Sequence, residues 1–172
     1  MKIRKQLIFS ICVFVLFSSC GYKVLNVNES LKNYSIRLGK VKNLTTEYGT
    51  EQELVKVLHK TFLSNGIKIQ PSSEHTEFEL NSTLKSIQFL PLTYTKGINT
   101  AYTYQYEVRI TVDAEFLSVA DNSKRKSFSI SESDYYFSQD SPATTEANKR
   151  LAIIKVLSKI TERLIREMTI GI

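Results

Sequence analysis

The sequence predicts an α+β domain: two helices packed on one face of a four-stranded, mainly antiparallel sheet, in the order β-α-β-β-β-α. Three observations carry this. Residues 102 to 116 alternate strictly, with Tyr102, Tyr104, Tyr106, Val108, Ile110, Val112, Ala114 and Phe116 at even positions and polar residues such as Gln105, Arg109, Thr111 and Asp113 between them. A period of two over that length is a long strand with one apolar and one polar face. Two other segments, near 50–65 and 142–168, repeat apolar residues at helical spacing instead. The last three strands can run as a meander, so both helices cover one face and the polar row is left uncovered.

The elements follow in order. Tyr34, Ile36 and Leu38 alternate with Ser35, Arg37 and Gly39 as a half-buried first strand. The first helix starts near Thr50 as N-cap, with Glu51 and Glu53 in the first turn, where the helix dipole favours anions. Leu54, Leu58 and Phe62, with Val55 beside them, form its apolar stripe, and Asn65-Gly66 stops it. Ile67 and Ile69 lead to Pro71 and a polar loop. In the second strand Phe78, Leu80 and Leu84 share one parity while Ile87 and Phe89 take the other, which a bulge near Lys85-Ser86 reconciles. Residues Pro91 to Thr100 read as a loop before the alternating third strand, and Ala120 to Lys126 as a turn. A fourth strand carries Phe128 and Ile130 and ends in Tyr135-Tyr136-Phe137. Ser141-Pro142 opens the second helix, whose stripe is Ile153, Leu157, Ile160, Leu164 and Met168, with Lys155, Lys159, Glu162, Arg163 and Arg166 opposite.

The N-terminus has a different character. Lys2, Arg4 and Lys5 precede an apolar run from Leu7 to Phe17 broken only by Ser10. As a helix that run would rise about 16 Å, about half a hydrocarbon core, which fits a signal peptide and not a membrane span. Phe17-Ser18-Ser19-Cys20 follows and resembles a bacterial lipobox, with Cys20 acylated as the first mature residue. The organisation expected is a signal peptide over 1–19, a lipidated N-terminus and tether over 20–33, and one domain over 34–172. Losing Lys2, Arg4 and Lys5 leaves 20 basic residues against 17 acidic ones. The high isoelectric point is therefore partly a targeting signal and argues poorly for nucleic acid as a partner. Cys12 leaves with the signal peptide and Cys20 carries lipid, so stability is expected to come from the core without a disulfide.

Catalysis is not expected. His59 and His75 have no Cys or His at metal-ligand spacing, no glycine-flanked nucleophilic serine occurs, and a chain with 6 glycines has no phosphate-cradling loop. No cofactor and no metal are implied. Asp113 and Glu115 alternate near Arg109 and read as a solvated charge row. Tyr94, Tyr102, Tyr104 and Tyr106 gather at one end of the long strand beside Lys96. They suit a surface that meets lipid sugars, phosphates or protein, or they are the wet end of the core. Lys124-Arg125-Lys126 occupies the turn after the long strand, either as ordinary turn charge or as a phosphate-binding tip. The candidate ligand-binding residues are Lys96, Lys124, Arg125 and Lys126.

Cys20-Gly21-Tyr22 after a lipoprotein signal, the β-α-β-β-β-α order, the Lys96-Gly97 loop and the closing Leu151 to Met168 helix together resemble the LptE family of lipopolysaccharide-assembly lipoproteins. The resemblance implies a plug inside the outer-membrane β-barrel LptD. Together they form the translocon that delivers lipopolysaccharide to the outer leaflet. It also implies help in barrel assembly and contact with lipopolysaccharide itself. Membrane attachment would be through the lipid on Cys20, on the periplasmic side of the outer membrane, and Gly21 after the cysteine, rather than Asp, resembles the signal for export to the outer membrane. Lys96 falls near a basic position that the family links to lipopolysaccharide. A second such position falls in the fourth strand, where this chain has Ser and Glu; Lys124, Arg125 and Lys126 lie a few residues earlier. The alternative is an auxiliary lipoprotein of another envelope lipid-transport or assembly complex, docking on periplasmic partners.

Overall fold

The computed structural model describes residues 31, 34–72, 76–96, 101–121 and 124–170. The elements are β1 (Ser35–Asn43), α1 (Thr50–Ser64), β2 (Lys68–Ile69), β3 (Phe78–Lys96), β4 (Ala101–Ser118), β5 (Arg125–Phe137) and α2 (Pro142–Ile170). They build the expected α+β fold, but the sheet has five strands in the order β2-β1-β3-β4-β5. The added strand is the two-residue β2, too short to show a period. The sheet is also mixed, because β1 runs parallel to both β2 and β3. The cause is the crossover: α1 returns the chain to the end of the sheet where β1 began, so the next strands run in the same direction. From β3 onward the pairing is the expected antiparallel meander.

Helix ends decide where the strands begin. The N-cap of α1 is Gly49 with φ 83°, not Thr50, because the chain enters the helix through a left-handed turn that glycine adopts without a Cβ penalty. Its carbonyl accepts from the Gln52 and Glu53 amides, and Thr50 becomes a buried first-turn residue. At the other end Gly66 has φ 72°. The Ile67 amide donates to the Phe62 carbonyl and the Gly66 amide to that of Leu63, a Schellman stop that turns the chain into β2. The stripe of α1 is Leu54, Val57, Leu58 and Phe62; Val55, expected beside it, is exposed, since it lies about 100° around the helix from Leu54. Ser141 accepts from the Thr144 amide at 3.5 Å, and the stripe of α2 is buried as expected and widened by Val156 and Ile165.

The bulge of β3 falls at Lys85, between the pairs Leu84↔Val112 and Ser86↔Thr111. It brings Ile87 and Phe89 opposite Ile110 and Val108 on the core face. A second irregularity, between Leu38 and Val41 of β1, lets that strand run to Asn43. A Cβ on Gly39 there would strike the Asn81 side chain. The segment expected as a loop from Pro91 is strand as far as Lys96, paired to Ala101. Past Leu84, where β1 ends, β3 is an edge, the place where a strand tolerates proline. The core joins Ile36, Phe62, Leu80, Ile110, Leu157 and Ile160, each fully buried and each contributing about 1.5–3 kcal/mol. Leu31, ahead of β1, is fully buried in it too.

Candidate functional site

Both helices lie on the core face, so among the described residues the other face of the sheet is uncovered, and it divides into two unlike halves. The half near the β4–β5 turn is a grid of charges. Glu79 is paired with Arg37, Asp113 with Lys85 at 3.1 Å and Glu115 with Arg125 at 3.6 Å. Farther along β4, Glu107 is paired with Arg109 at 2.8 Å. The Ser129 hydroxyl donates to Asp113 at 2.6 Å and, with Lys85, holds that carboxyl below its usual range. Glu107 is lowered in the same way by Ser133 and then Arg109. Each of these four acids thus has a cation, and two cations are left over: Lys40 and Lys42, exposed on β1, join no ion pair among the described residues. They line a hollow of about 390 Å³ with Asn81, Thr83, Asp113 and Glu115. Sequence reading passed over both lysines. The only signal was their alternation about Val41, which reads as a strand face only once the bulge at Gly39 and Lys40 is known.

The other half is apolar around the Glu107–Arg109 pair. Leu90, Glu107 and Tyr135 stand in one row across β3, β4 and β5. Leu90 is 36%, Tyr135 51% and Phe137 43% exposed, and Tyr104, 44% exposed, rests its ring 5.3 Å from that of Phe137. Behind them, on the core face, Tyr106 and Tyr136 stack at 5.2 Å. Tyr106 is therefore core, and Tyr104, two residues before it, has the same strand parity but is 44% exposed. Tyr94 and Tyr102 have side chains outside the described residues. The patch includes Tyr135 and Phe137, which the sequence presented only as the end of a strand.

The four cations singled out from the sequence do not form one cluster. Lys96 pairs with Ala101 at the β3–β4 hairpin tip, whereas Lys126 pairs with Phe116 near the opposite end of β4. Fifteen residues of strand separate those rows, about 50 Å. The side chain of Lys96 lies outside the described residues, as do Gly97 and Cys20. Lys124 is exposed in the turn and donates its amide to the Asp121 carbonyl at 2.9 Å. Arg125 sits on the uncovered face with Glu115, and Lys126, one residue on, turns to the core face beside Phe116. Lys159 and Arg163, expected to face solvent, reach over β5 to Asp134 at 3.2 Å and Glu132 at 3.0 Å. Among the described residues no group of three or more His, Cys, Asp or Glu side chains could hold a metal, and no helix is long and apolar enough to cross a membrane.

The family model described as "LptE: Lipopolysaccharide-assembly" matches residues 34–168, from the start of β1 almost to the end of α2. The chain belongs to the LptE family. Solved structures agree on the fold. Rare lipoprotein B from Shewanella oneidensis is similar with a TM-score of 0.54 at 15% identity, over 77% of this chain and 96% of that one. Lipoprotein B from Nitrosomonas europaea reaches 0.52 at 13% identity, over 81% and 86%. A Xanthomonas campestris protein reaches 0.56 at 13% identity, over 80% and 84%. No curated relative matches the sequence. The matched LptE span contains both halves of the uncovered face, so the charged grid and the aromatic patch lie within the matched domain.

Proposed function

We propose that this LptE-family protein is a non-catalytic lipoprotein of lipopolysaccharide assembly, anchored in the outer membrane through lipid on Cys20 and seated against an LptD-type barrel. The observation that carries the reading is the uncovered sheet face, charged at one end and apolar at the other. Barrel lumens of the porin type are polar, and a face whose acids are already matched by its own cations can enter one without stranding a carboxylate. The apolar half, with Leu90, Tyr135 and Phe137, suits the lipid part of a glycolipid or an apolar stretch of the barrel, since tyrosine offers both a ring and a hydroxyl.

The test is capture from native membranes. The tagged full chain should co-purify with an outer-membrane β-barrel, and intact mass of the mature protein should show diacylglycerol on Cys20. Recovery of soluble periplasmic proteins without a barrel would favour an auxiliary lipoprotein of another envelope complex. An unmodified mature N-terminus elsewhere would overturn the anchor.

A further inference from the structure

We propose that the hollow beside β1 is a binding site for a phosphate group, held by Lys40 and Lys42. Both lysines line one hollow of about 390 Å³, which leaves room for a phosphate and the group it is attached to. The Asn81 side-chain oxygen accepts the Lys40 amide at 2.7 Å, which turns its NH₂ group free to donate. Thr83 adds a hydroxyl to the lining. Two carboxylates, Asp113 and Glu115, also line the hollow, and they would repel an anion if they stood alone. Both are already neutralised, by Lys85 at 3.1 Å and Arg125 at 3.6 Å. The local sum is two positive charges beside donors of fixed position, which is the chemistry that recognises phosphate.

These lysines have a competing explanation. Beyond the short β2, β1 has an open edge from Leu38 to Asn43 among the described residues, and lysines and bulges commonly blunt such edges against pairing with another chain. The two explanations differ in what removal does. The site also stands apart from the barrel reading, since phosphate can bind whether or not a barrel is captured.

The full chain in detergent is titrated calorimetrically at low ionic strength with inorganic phosphate, glucosamine 1-phosphate and glycerophosphoglycerol. Inorganic phosphate should bind and weaken as salt is added. The K40Q/K42Q variant should lose about tenfold or more in affinity. K60Q/K155Q, which removes the same charge from the helix layer, should stay within about twofold of wild type. Preference for glucosamine 1-phosphate assigns the site to a phosphorylated sugar, preference for glycerophosphoglycerol to a phospholipid headgroup, and equal binding to phosphate alone. No binding of any probe overturns the proposal. So does a K40Q/K42Q variant that keeps its affinity and self-associates, which would make the lysines guards of the β1 edge.

Discussion

The two halves of the uncovered face solve different problems with one sheet. Near the β4–β5 turn, the surface carries its own counter-charges, Lys85 with Asp113 and Arg125 with Glu115, and is at ease in water. Toward the β3–β4 hairpin it carries Leu90, Tyr135 and Phe137 with more than a third of each exposed, and nothing within the described chain covers them. A self-neutralised surface needs no partner. An apolar one of this kind marks a place where a partner or lipid belongs. The charged half, apart from the hollow at Lys40 and Lys42, therefore reads as the wall of the domain and the apolar half as the end that meets a partner or lipid.

The sharpest break in that comparison is one that should take down both halves at once. Leu157 is fully buried on α2. Leu157→Ala should cost about 2–5 kcal/mol in urea unfolding, because a large cavity opens in a shared core. Thr111→Ala on the uncovered face should cost less than about 0.5 kcal/mol. Equal effects would mean that the faces are wrongly assigned. The next break separates the halves. Leu90→Ser with Tyr135→Ser and Phe137→Ser should reduce barrel capture by about tenfold or more while unfolding stays within about 2 kcal/mol of wild type. If capture is unchanged, the apolar half is not the end that meets the barrel.

Much of the fold was legible because its signals are local. The alternation of β4, the stripe of α2 and even the parity switch at Lys85 are written in consecutive residues. What was not legible depends on residues far apart in the chain. The parallel direction of β1 follows from a crossover, and β2 is too short to show any period. The pairing of Lys159 and Arg163 with β5 depends on how far α2 leans over the edge. The site shows the same division. Lys124, Arg125 and Lys126 look like one cluster in sequence, yet strand alternation sends Arg125 and Lys126 to opposite faces, and Lys96 lies at the far end of the strand. Lys40 and Lys42 look like two isolated charges and become neighbours of Asp113 only through the sheet.

A smaller effect tests the buried underside of the charged half. Ser82 lies between Leu80 and Leu84, paired across to Ala114, and its hydroxyl is buried with no hydrogen-bond partner among the described residues. Leaving such a group unsatisfied costs roughly 1–3 kcal/mol, and alanine removes it without opening a cavity. Ser82→Ala should therefore raise stability by roughly 1 kcal/mol. A loss instead would mean that the hydroxyl has a bound water or other partner.

The smallest effects should divide the halves by pH. Hydrogen bonds from Ser129 and Lys85 lower the Asp113 carboxyl in the folded state. A group lowered on folding contributes stability above its unfolded value, near 3.9 for aspartate, and loses it as pH falls through the folded value. The charged half should thus weaken only below about pH 4. Because Asp113 is more than a third exposed, solvent screens the pair, and Lys85→Gln should cost less than about 0.5 kcal/mol at neutral pH. Behind the apolar half the sign is reversed. Burial, and then the neighbouring Tyr106, raise the Tyr136 phenol. A raised group contributes stability below its unfolded value, near 10 for tyrosine, and loses it as pH climbs through the folded one. Acid should therefore loosen the grid first and alkali the Tyr106–Tyr136 stack first, which amide exchange in β5 can separate: Ser129 should lose protection at low pH and Tyr136 at high pH. If both residues lose protection together at each extreme, the two halves unfold as one unit, and the division between them is one of surface chemistry alone.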